Sequence, residues 1–141
     1  MTSAPMLRPI FSVAFFAEEG FAGDPATIAA NFEALRRAPD HWAAAAMEHS
    51  RMVGIATVTT MLYVEWGRLG EIGDLYVLPG ARRRGIAGAL VHAAIEWCRL
   101  QGCSAVEVVI TAEGERTHGL SRFYQRLGFA PTGRTMSLLR R

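Results

Sequence analysis

Cysteine is scarce in this sequence, long apolar runs are missing, and the excess of positive charge is small. The only two cysteines, Cys98 and Cys103, do not form a C-x-x-C pair. This pattern excludes a disulfide framework and favours a reducing compartment. The formal net charge is only +2, which argues against a protein that binds nucleic acid through a broad basic surface.

No stretch approaches the roughly 18 consecutive apolar residues of a membrane span, and we therefore expect no membrane association. An apolar run lies near the N-terminus. However, Glu18 and Glu19 occupy the place where a signal peptide would need small residues and a cleavage site. The chain is interpreted as a mature cytoplasmic protein, and a homodimer is left open. The four histidines show no metal-ligand spacing, which predicts no metal site.

The composition is that of a folded protein, because half of the 141 residues are hydrophobic and a fifth are charged. With no repeats or linkers, this length predicts a single domain over residues 1–141. Hydrophobic periodicity and turn residues then predict the helices and strands. The helices are expected at 9–20, 25–38 (with Asp24 as N-cap), 84–100 and 117–128, and the strands at 42–48, 52–61, 71–78, 104–112 and 135–140.

This order of elements predicts an α/β (α+β) fold. The strand–helix–strand units in the second half imply parallel pairing, whereas the short polar turn between 42–48 and 52–61 implies an antiparallel hairpin. A mixed sheet with helices on both faces is the expected result.

The stretch "LPGARRRGIAGALV" places arginines and glycines between a predicted strand and a predicted helix. The first turn of a helix has unpaired N–H groups and a partial positive charge, so this position favours an anion. Glycine lets a ligand approach the backbone closely, and arginine adds charge-assisted hydrogen bonds to phosphate. The stretch has no lysine for a Walker loop and only part of a dinucleotide-binding G-x-G-x-x-G pattern. It therefore predicts a site for a phosphate or pyrophosphate.

Two motifs carry a resemblance to a known family. Arg82, Gly85 and Ala87 after "YVLP" form R-x-x-G-x-A, which resembles the coenzyme A pyrophosphate loop of the GNAT acetyltransferases. "SRFYQRLGF", from Ser121 to Phe129, resembles the C-terminal signature of that family. The resemblance implies the GNAT acyl-CoA acyltransferase fold, with a mixed, largely antiparallel sheet. The family's first strand is expected to be short or absent here, because two prolines interrupt "TSAPMLRP".

The resemblance also implies an activity, N-acetyl transfer from acetyl-CoA, with no metal. It places the cofactor-binding residues in the loop: Arg82 of the motif, and the six residues whose backbone amides hold the pyrophosphate, Arg83, Arg84, Gly85, Ile86, Ala87 and Gly88. The backbone of the preceding strand would pair with pantetheine through Leu75, Tyr76 and Val77. Tyr124 would protonate the leaving thiolate. Thr117 stands where many members have an asparagine that contacts the cofactor.

A carboxylate must take the proton from the attacking amine, and Glu71 and Asp74 are the candidates. Glu71 lies six residues before Val77, as the base does in histone-type members. Asp74 lies where diamine-type members are acidic, but Gly73 replaces the glutamate that precedes it there. Strand alternation puts Glu71 and Asp74 on opposite faces unless a bulge intervenes. We favour Glu71 as the base for direct attack by a primary amine in a ternary complex.

Two other functions stay open at this stage. A catalytically degenerate relative could bind an acyl-CoA as a regulator, because binding uses the backbone and catalysis uses a few side chains. A nucleic-acid or ribosome-associated module could use the arginine loop instead, although no aromatic residues accompany it. The acceptor is also open among small amines, aminoglycoside-like antibiotics, amino acids and protein lysines.

Overall fold

The computed structural model describes residues 2–3 and 23–133. The chain divides into two compact units, residues 1–107 and residues 108–141. The helix expected at 9–20 and the strand expected at 135–140 lie outside the described residues. No helix within the described part of the chain is both long enough and apolar enough to cross a membrane.

The first unit is built on a five-stranded sheet whose strands lie side by side in chain order. β1 pairs with β2, β2 with β3 and β3 with β4, all antiparallel. A helical crossover leads from β4 to β5, which is the connection that parallel neighbours need. The predicted fold class is therefore confirmed, and β1 is short. The strands are β1 Thr2–Ser3, β2 Trp42–Glu48, β3 Arg51–Tyr63, β4 Gly67–Val77 and β5 Ala105–Val108.

Helix α1, Pro25–Arg37, begins where the sequence predicts it. The side chain of Asp24 accepts a hydrogen bond of 3.0 Å from the backbone N–H of Thr27, which caps the first turn. Phe32 is buried, and Ile28 and Leu35 pack against the same core. The predicted helix and its apolar face are thus confirmed, and they fix α1 against β2.

The predicted hairpin is also confirmed. His49 and Ser50 connect β2 to β3, and both have positive φ angles, 49° and 64°. Two successive positive φ angles give the turn a twist that matches the right-handed twist of the flanking strands.

Helix α2, Ile86–Leu100, covers one face of the sheet. Trp97 stacks on Trp42 of β2, and the sulfur of Cys98 fits against Gly70 of β4, where a Cβ would overlap it. The helix begins two residues later than the predicted start at residue 84. The reason is Gly85, whose φ of 76° belongs to the left-handed region and cannot continue a helix.

The second unit corrects two predictions. The strand expected to reach residue 112 ends at Val108, because Thr111 caps a new helix, α3, Ala112–His118. The single helix expected at 117–128 is wrong. Gly119, with a φ of 57°, ends α3 and separates it from α4, Leu120–Arg126.

Candidate active site

The loop between β4 and α2 presents a row of unpaired backbone donors. The first hydrogen bond of α2 runs from the N–H of Ala89 to the carbonyl of Gly85. The six N–H groups before it, from Arg83 to Gly88, donate to no residue that the structure describes. No side chain caps the helix, and a Cβ on Gly85 would meet nothing within 4 Å. These six amides are the ones that the resemblance assigns to pyrophosphate.

The side chains of the three loop arginines point to different partners. Nε of Arg82 donates to the carbonyl of Val77 at 3.0 Å, and its guanidinium lies over the ring of Tyr76. Arg84 forms an ion pair of 2.9 Å with Glu48. Its other guanidinium nitrogen donates to the carbonyl of Gly80 at 3.2 Å. The guanidinium of Arg83 bonds to no residue among those described.

The end of β4 extends beyond its short neighbour. At the start of β5, the N–H of Ser104 donates to the carbonyl of Arg68, which is near the start of β4. β5 has only four residues, and because both strands rise about 3.3 Å per residue it reaches about the level of Ile72. Leu75, Tyr76 and Val77, which the resemblance assigns to pantetheine, follow in β4. β5 therefore ends before the level of these three residues.

A β-bulge brings the two candidate carboxylates to the same face of the sheet. Thr57 lies opposite Asp74, whereas Val58 lies opposite Ile72, so Gly73 is an extra residue in β4. Glu71 lies opposite Thr59. Thr57 and Thr59 are two residues apart and share a face, so their partners Glu71 and Asp74 share it as well. Simple alternation would have separated them.

This shared face is the one that α2 does not cover. Gly70 and Ile72 lie on the other face, where a Cβ on Gly70 would overlap the sulfur of Cys98 in α2. Glu71 is half-buried and makes no hydrogen bond or ion pair with a described residue. The carboxylate of Glu71 thus lies on the face away from α2, without a partner in the part of the chain that the structure describes.

Asp74 has a partner that the sequence analysis missed. The hydroxyl of Thr57 donates a hydrogen bond of 2.6 Å to Oδ2 of Asp74. Thr57 is only 2% exposed. The two residues are far apart in the chain and meet only through the β3–β4 register, so no local signal in the sequence could have revealed the contact.

Tyr124, in the second unit, is almost completely buried. It is 3% exposed, and its ring makes edge contacts with Phe123 and Phe129. Burial raises the pKa of the Tyr124 phenol to about 12. The phenol therefore keeps its proton at neutral pH, as a general acid must.

Thr117 offers less to a cofactor than the sequence suggests. Its hydroxyl donates a hydrogen bond of 2.8 Å to the carbonyl of Glu113, one turn earlier in α3. The side chain is exposed. Its proposed contact with the cofactor would have to use the remaining lone pairs of the hydroxyl oxygen or replace this internal bond.

Cys98 is buried, and Cys103 is half-buried just after the end of α2. Gly102 has a φ of 78°, and the N–H of Cys103 bonds to the carbonyl of Cys98, a pattern that ends α2. Burial, together with the nearby Cys103, raises the pKa of the Cys98 thiol to about 12. Cys98 is thus a protonated packing residue and a poor nucleophile. Among the described residues, no three His, Cys, Asp or Glu side chains are grouped to hold a metal ion.

The family model of the GNAT acetyltransferases matches residues 4–129. The chain belongs to the GNAT acetyltransferase family. The match includes β4, the loop between β4 and α2, and the segment around Tyr124. A curated relative, an uncharacterised N-acetyltransferase of Methanocaldococcus jannaschii, is 38% identical over 66 residues. The matched segment is 47% of this chain and 28% of the relative, so the chain aligns with less than a third of that protein.

The chain is also similar in fold to solved structures of other proteins. Aminoglycoside N-acetyltransferase AAC(6')-Iy, in complex with the bisubstrate analogue CoA-S-monomethyl-acetylneamine, superposes with a TM-score of 0.76. The superposition covers 94% of this chain and 91% of that one at 22% identity. A transcriptional regulator from Bacillus halodurans superposes with a TM-score of 0.75, covering 90% and 89% of the two chains at 21% identity. At these identities the likeness establishes the fold.

Proposed function

We propose that this protein is an acetyl-CoA-dependent N-acetyltransferase that acts on a primary amine in a ternary complex. The observation that carries the proposal is the row of six unpaired N–H groups from Arg83 to Gly88 at the start of α2, in a member of the GNAT family. Converging N–H groups at a helix N-terminus suit the charge of a pyrophosphate. The backbone of Leu75–Val77 would hold the pantetheine arm.

Acetyl-CoA supplies the acetyl group as a thioester, and the protein positions it and moves two protons. Glu71 takes a proton from the attacking ammonium, directly or through water, so that a neutral amine reaches the carbonyl carbon. A backbone amide of β4 polarises the carbonyl. As the new C–N bond forms and the C–S bond breaks, Tyr124 donates its proton to the departing sulfur, and the nitrogen of the tetrahedral intermediate loses its second proton to solvent, from which Tyr124 is protonated again.

The remaining assignments concern the domain organisation, the compartment and two further residues. The family match spans residues of both compact units, which supports a single N-acetyltransferase domain. The two free thiols suit a reducing compartment, and we propose a cytoplasmic protein.

Asp74, held by Thr57, is proposed to orient the acceptor, and the hydroxyl of Thr117 is proposed to contact the cofactor.

Calorimetry with acetyl-CoA tests the binding site. Gly85→Glu adds a side chain and a negative charge among the loop amides. It should weaken acetyl-CoA binding by more than about tenfold, or ~1.4 kcal/mol. Gly102→Glu is the matched control, because Gly102 is exposed, has a φ of 78° close to the 76° of Gly85, and a Cβ there meets nothing within 4 Å. Equal affinities of the wild type and Gly85→Glu would contradict the coenzyme A site.

Turnover of acetyl-CoA with a panel of amines tests the activity. The panel includes small amines, aminoglycosides, amino acids and a lysine peptide, and acetylation of at least one is expected. Binding of acetyl-CoA without turnover of any acceptor would favour an acyl-CoA-binding regulator instead. Tight nucleic acid binding without acetyl-CoA binding would favour a nucleic-acid module.

A further inference from the structure

The three consecutive arginines of the loop are equivalent in the sequence but not in the structure. Arg82 bonds to the carbonyl of Val77 and lies over Tyr76, both in the strand that enters the loop. Arg84 bonds back to Gly80 and across to Glu48, at the end of β2. Two of the three guanidinium groups are thus used to attach the loop to the sheet.

The ion pair of Arg84 connects elements that a cavity separates. Arg84 and Glu48 both line this cavity, which lies between the end of the β2–β3 hairpin and the first turn of α2. Its other lining residues are Ala46, Met47, Val53, Gly85, Ile86 and Ala89. Because side chains do not fill this space, the ion pair is a direct link between Glu48 and the start of the row of unpaired amides. Glu48 can therefore influence the loop without reaching a ligand.

Arg83 is the exception among the three. Its side chain is exposed and bonds to no described residue. Its φ of 65° is left-handed, which is costly for a residue with a Cβ. The conformation directs the chain from Arg82 to Gly85 so that neighbouring arginines reach different partners. Such strain persists only where surrounding contacts maintain it, and the bonds of Arg82 and Arg84 on either side supply those contacts.

We propose that the loop arginines divide their roles, so that Arg83 binds the pyrophosphate of acetyl-CoA directly while Arg82 and Arg84 position the loop. Glu48 is a positioning residue that acts through Arg84. This inference rests on the proposed function and adds to it a residue outside the loop motif. It also assigns the charge-assisted contact with the phosphates to one of three adjacent arginines.

The test is calorimetry with three ligands. Acetyl-CoA carries both the pyrophosphate and the 3′-phosphate, acetyl-dephospho-CoA carries only the pyrophosphate, and S-acetylpantetheine carries no phosphate. Arg83→Gln should weaken binding of the first two ligands by about tenfold or more and leave S-acetylpantetheine unaffected. Glu48→Gln and Arg84→Gln should each weaken acetyl-CoA binding by about twofold to fivefold, as expected for a partly exposed ion pair. The double variant should be no weaker than the weaker single variant, because both changes break the same link.

Arg99→Gln is the matched control. Arg99 lies in the last turn of the same helix, far from the loop, and forms an exposed ion pair with Glu96. Its replacement therefore changes the net charge by the same amount as the loop variants do. It should leave all three affinities unchanged. Circular dichroism checks that each variant is folded.

The outcomes separate this inference from the proposed function. Failure of the wild type to bind acetyl-CoA would overturn both. If the wild type binds acetyl-CoA tightly, the division of roles can still fail. Equal losses of affinity in Arg83→Gln and Arg84→Gln, with no loss in Glu48→Gln, would overturn the division of roles and leave the proposed function intact. A loss in Arg83→Gln that disappears with acetyl-dephospho-CoA would assign Arg83 to the 3′-phosphate and would also overturn it.

Discussion

The hydroxyl of Thr57 bonds to Oδ2 of Asp74 at 2.6 Å, directly across the β3–β4 pair. Thr57 is buried, whereas the carboxylate of Asp74 is at the surface beside the bulge at Gly73. The bond therefore holds one oxygen of Asp74 towards the sheet and leaves Oδ1 for another donor. Glu71, on the same face, has no such restraint from a described residue.

Replacing Thr57 tests whether this orientation matters. Thr57→Val removes the hydroxyl with little change of shape and should lower kcat/KM for the amine about tenfold, the effect of losing a hydrogen bond to a charged group. Thr57→Ser keeps the hydroxyl and should retain most of the activity. In an Asp74→Asn background the further effect of Thr57→Val should be small. Steady-state kinetics with the best acceptor measures all four variants, and equal losses in the Val and Ser variants would reduce Thr57 to a packing residue.

Glu71→Gln should identify the base. A neutral attacking amine requires proton removal, so the wild-type rate should rise with pH and level off. Glu71→Gln should flatten the low-pH limb and lower kcat by about 10²–10⁴-fold. Asp74→Asn should keep the pH dependence and change mainly KM for the amine. A flattened profile in Asp74→Asn, with a normal one in Glu71→Gln, would exchange the two roles.

The chain contains no lysine, and its 15 basic residues other than histidine are all arginine. This helps to test whether the amine attacks acetyl-CoA directly. Acetyl-lysine on the protein cannot be mistaken for an acyl-enzyme intermediate. Incubation with acetyl-CoA alone should leave the mass of the wild type unchanged. A stable increase by one acetyl group at an internal residue would contradict the ternary-complex mechanism.

Tyr124 should act as an acid over a wide pH range. Burial raises its pKa to about 12, so its proton is present below that pH and is lost only as the pH rises through it. An ordinary tyrosine would lose the proton near pH ~10. The plateau of kcat should therefore extend to about pH 10 with no falling limb from this residue. Tyr124→Phe should lower kcat by about 10²–10⁴-fold with little change in acetyl-CoA affinity, and full turnover by this variant would leave Tyr124 as a packing residue.

Gly70 is required by the packing of α2 on the sheet. A Cβ at Gly70 would overlap the sulfur of the fully buried Cys98, so Gly70→Ala should lower the free energy of unfolding by about 1–3 kcal/mol. Adding Cys98→Ala removes the overlap and should recover part of the loss. Gly80→Ala, where a Cβ meets nothing within 4 Å, is the control and should change stability by less than about 0.5 kcal/mol. Urea denaturation of the wild type, Gly70→Ala, Cys98→Ala, the double variant and Gly80→Ala checks the prediction. Additive losses of the two single changes in the double variant would contradict it.

The sequence by itself determined the features that depend on local backbone conformation. Asp24 and Pro25 specify the start of α1, and the polar residues between β2 and β3 specify the hairpin turn. The loop around Gly85 could also be predicted, because unpaired N–H groups at a helix start follow from the strand–glycine–helix order alone. This loop, together with the second motif from Ser121 to Phe129, was enough to indicate the family that the comparison confirms.

Only the tertiary structure decided which side chains share a surface. The pairing of β3 with β4 places a bulge at Gly73 and so brings Glu71 and Asp74 to one face. Alternation along the chain predicts the opposite, because strand register is set by the partner strand and not by the strand's own sequence. Long-range packing likewise gave Asp74 its buried partner Thr57 and separated the roles of three arginines that are identical in type and adjacent in the chain.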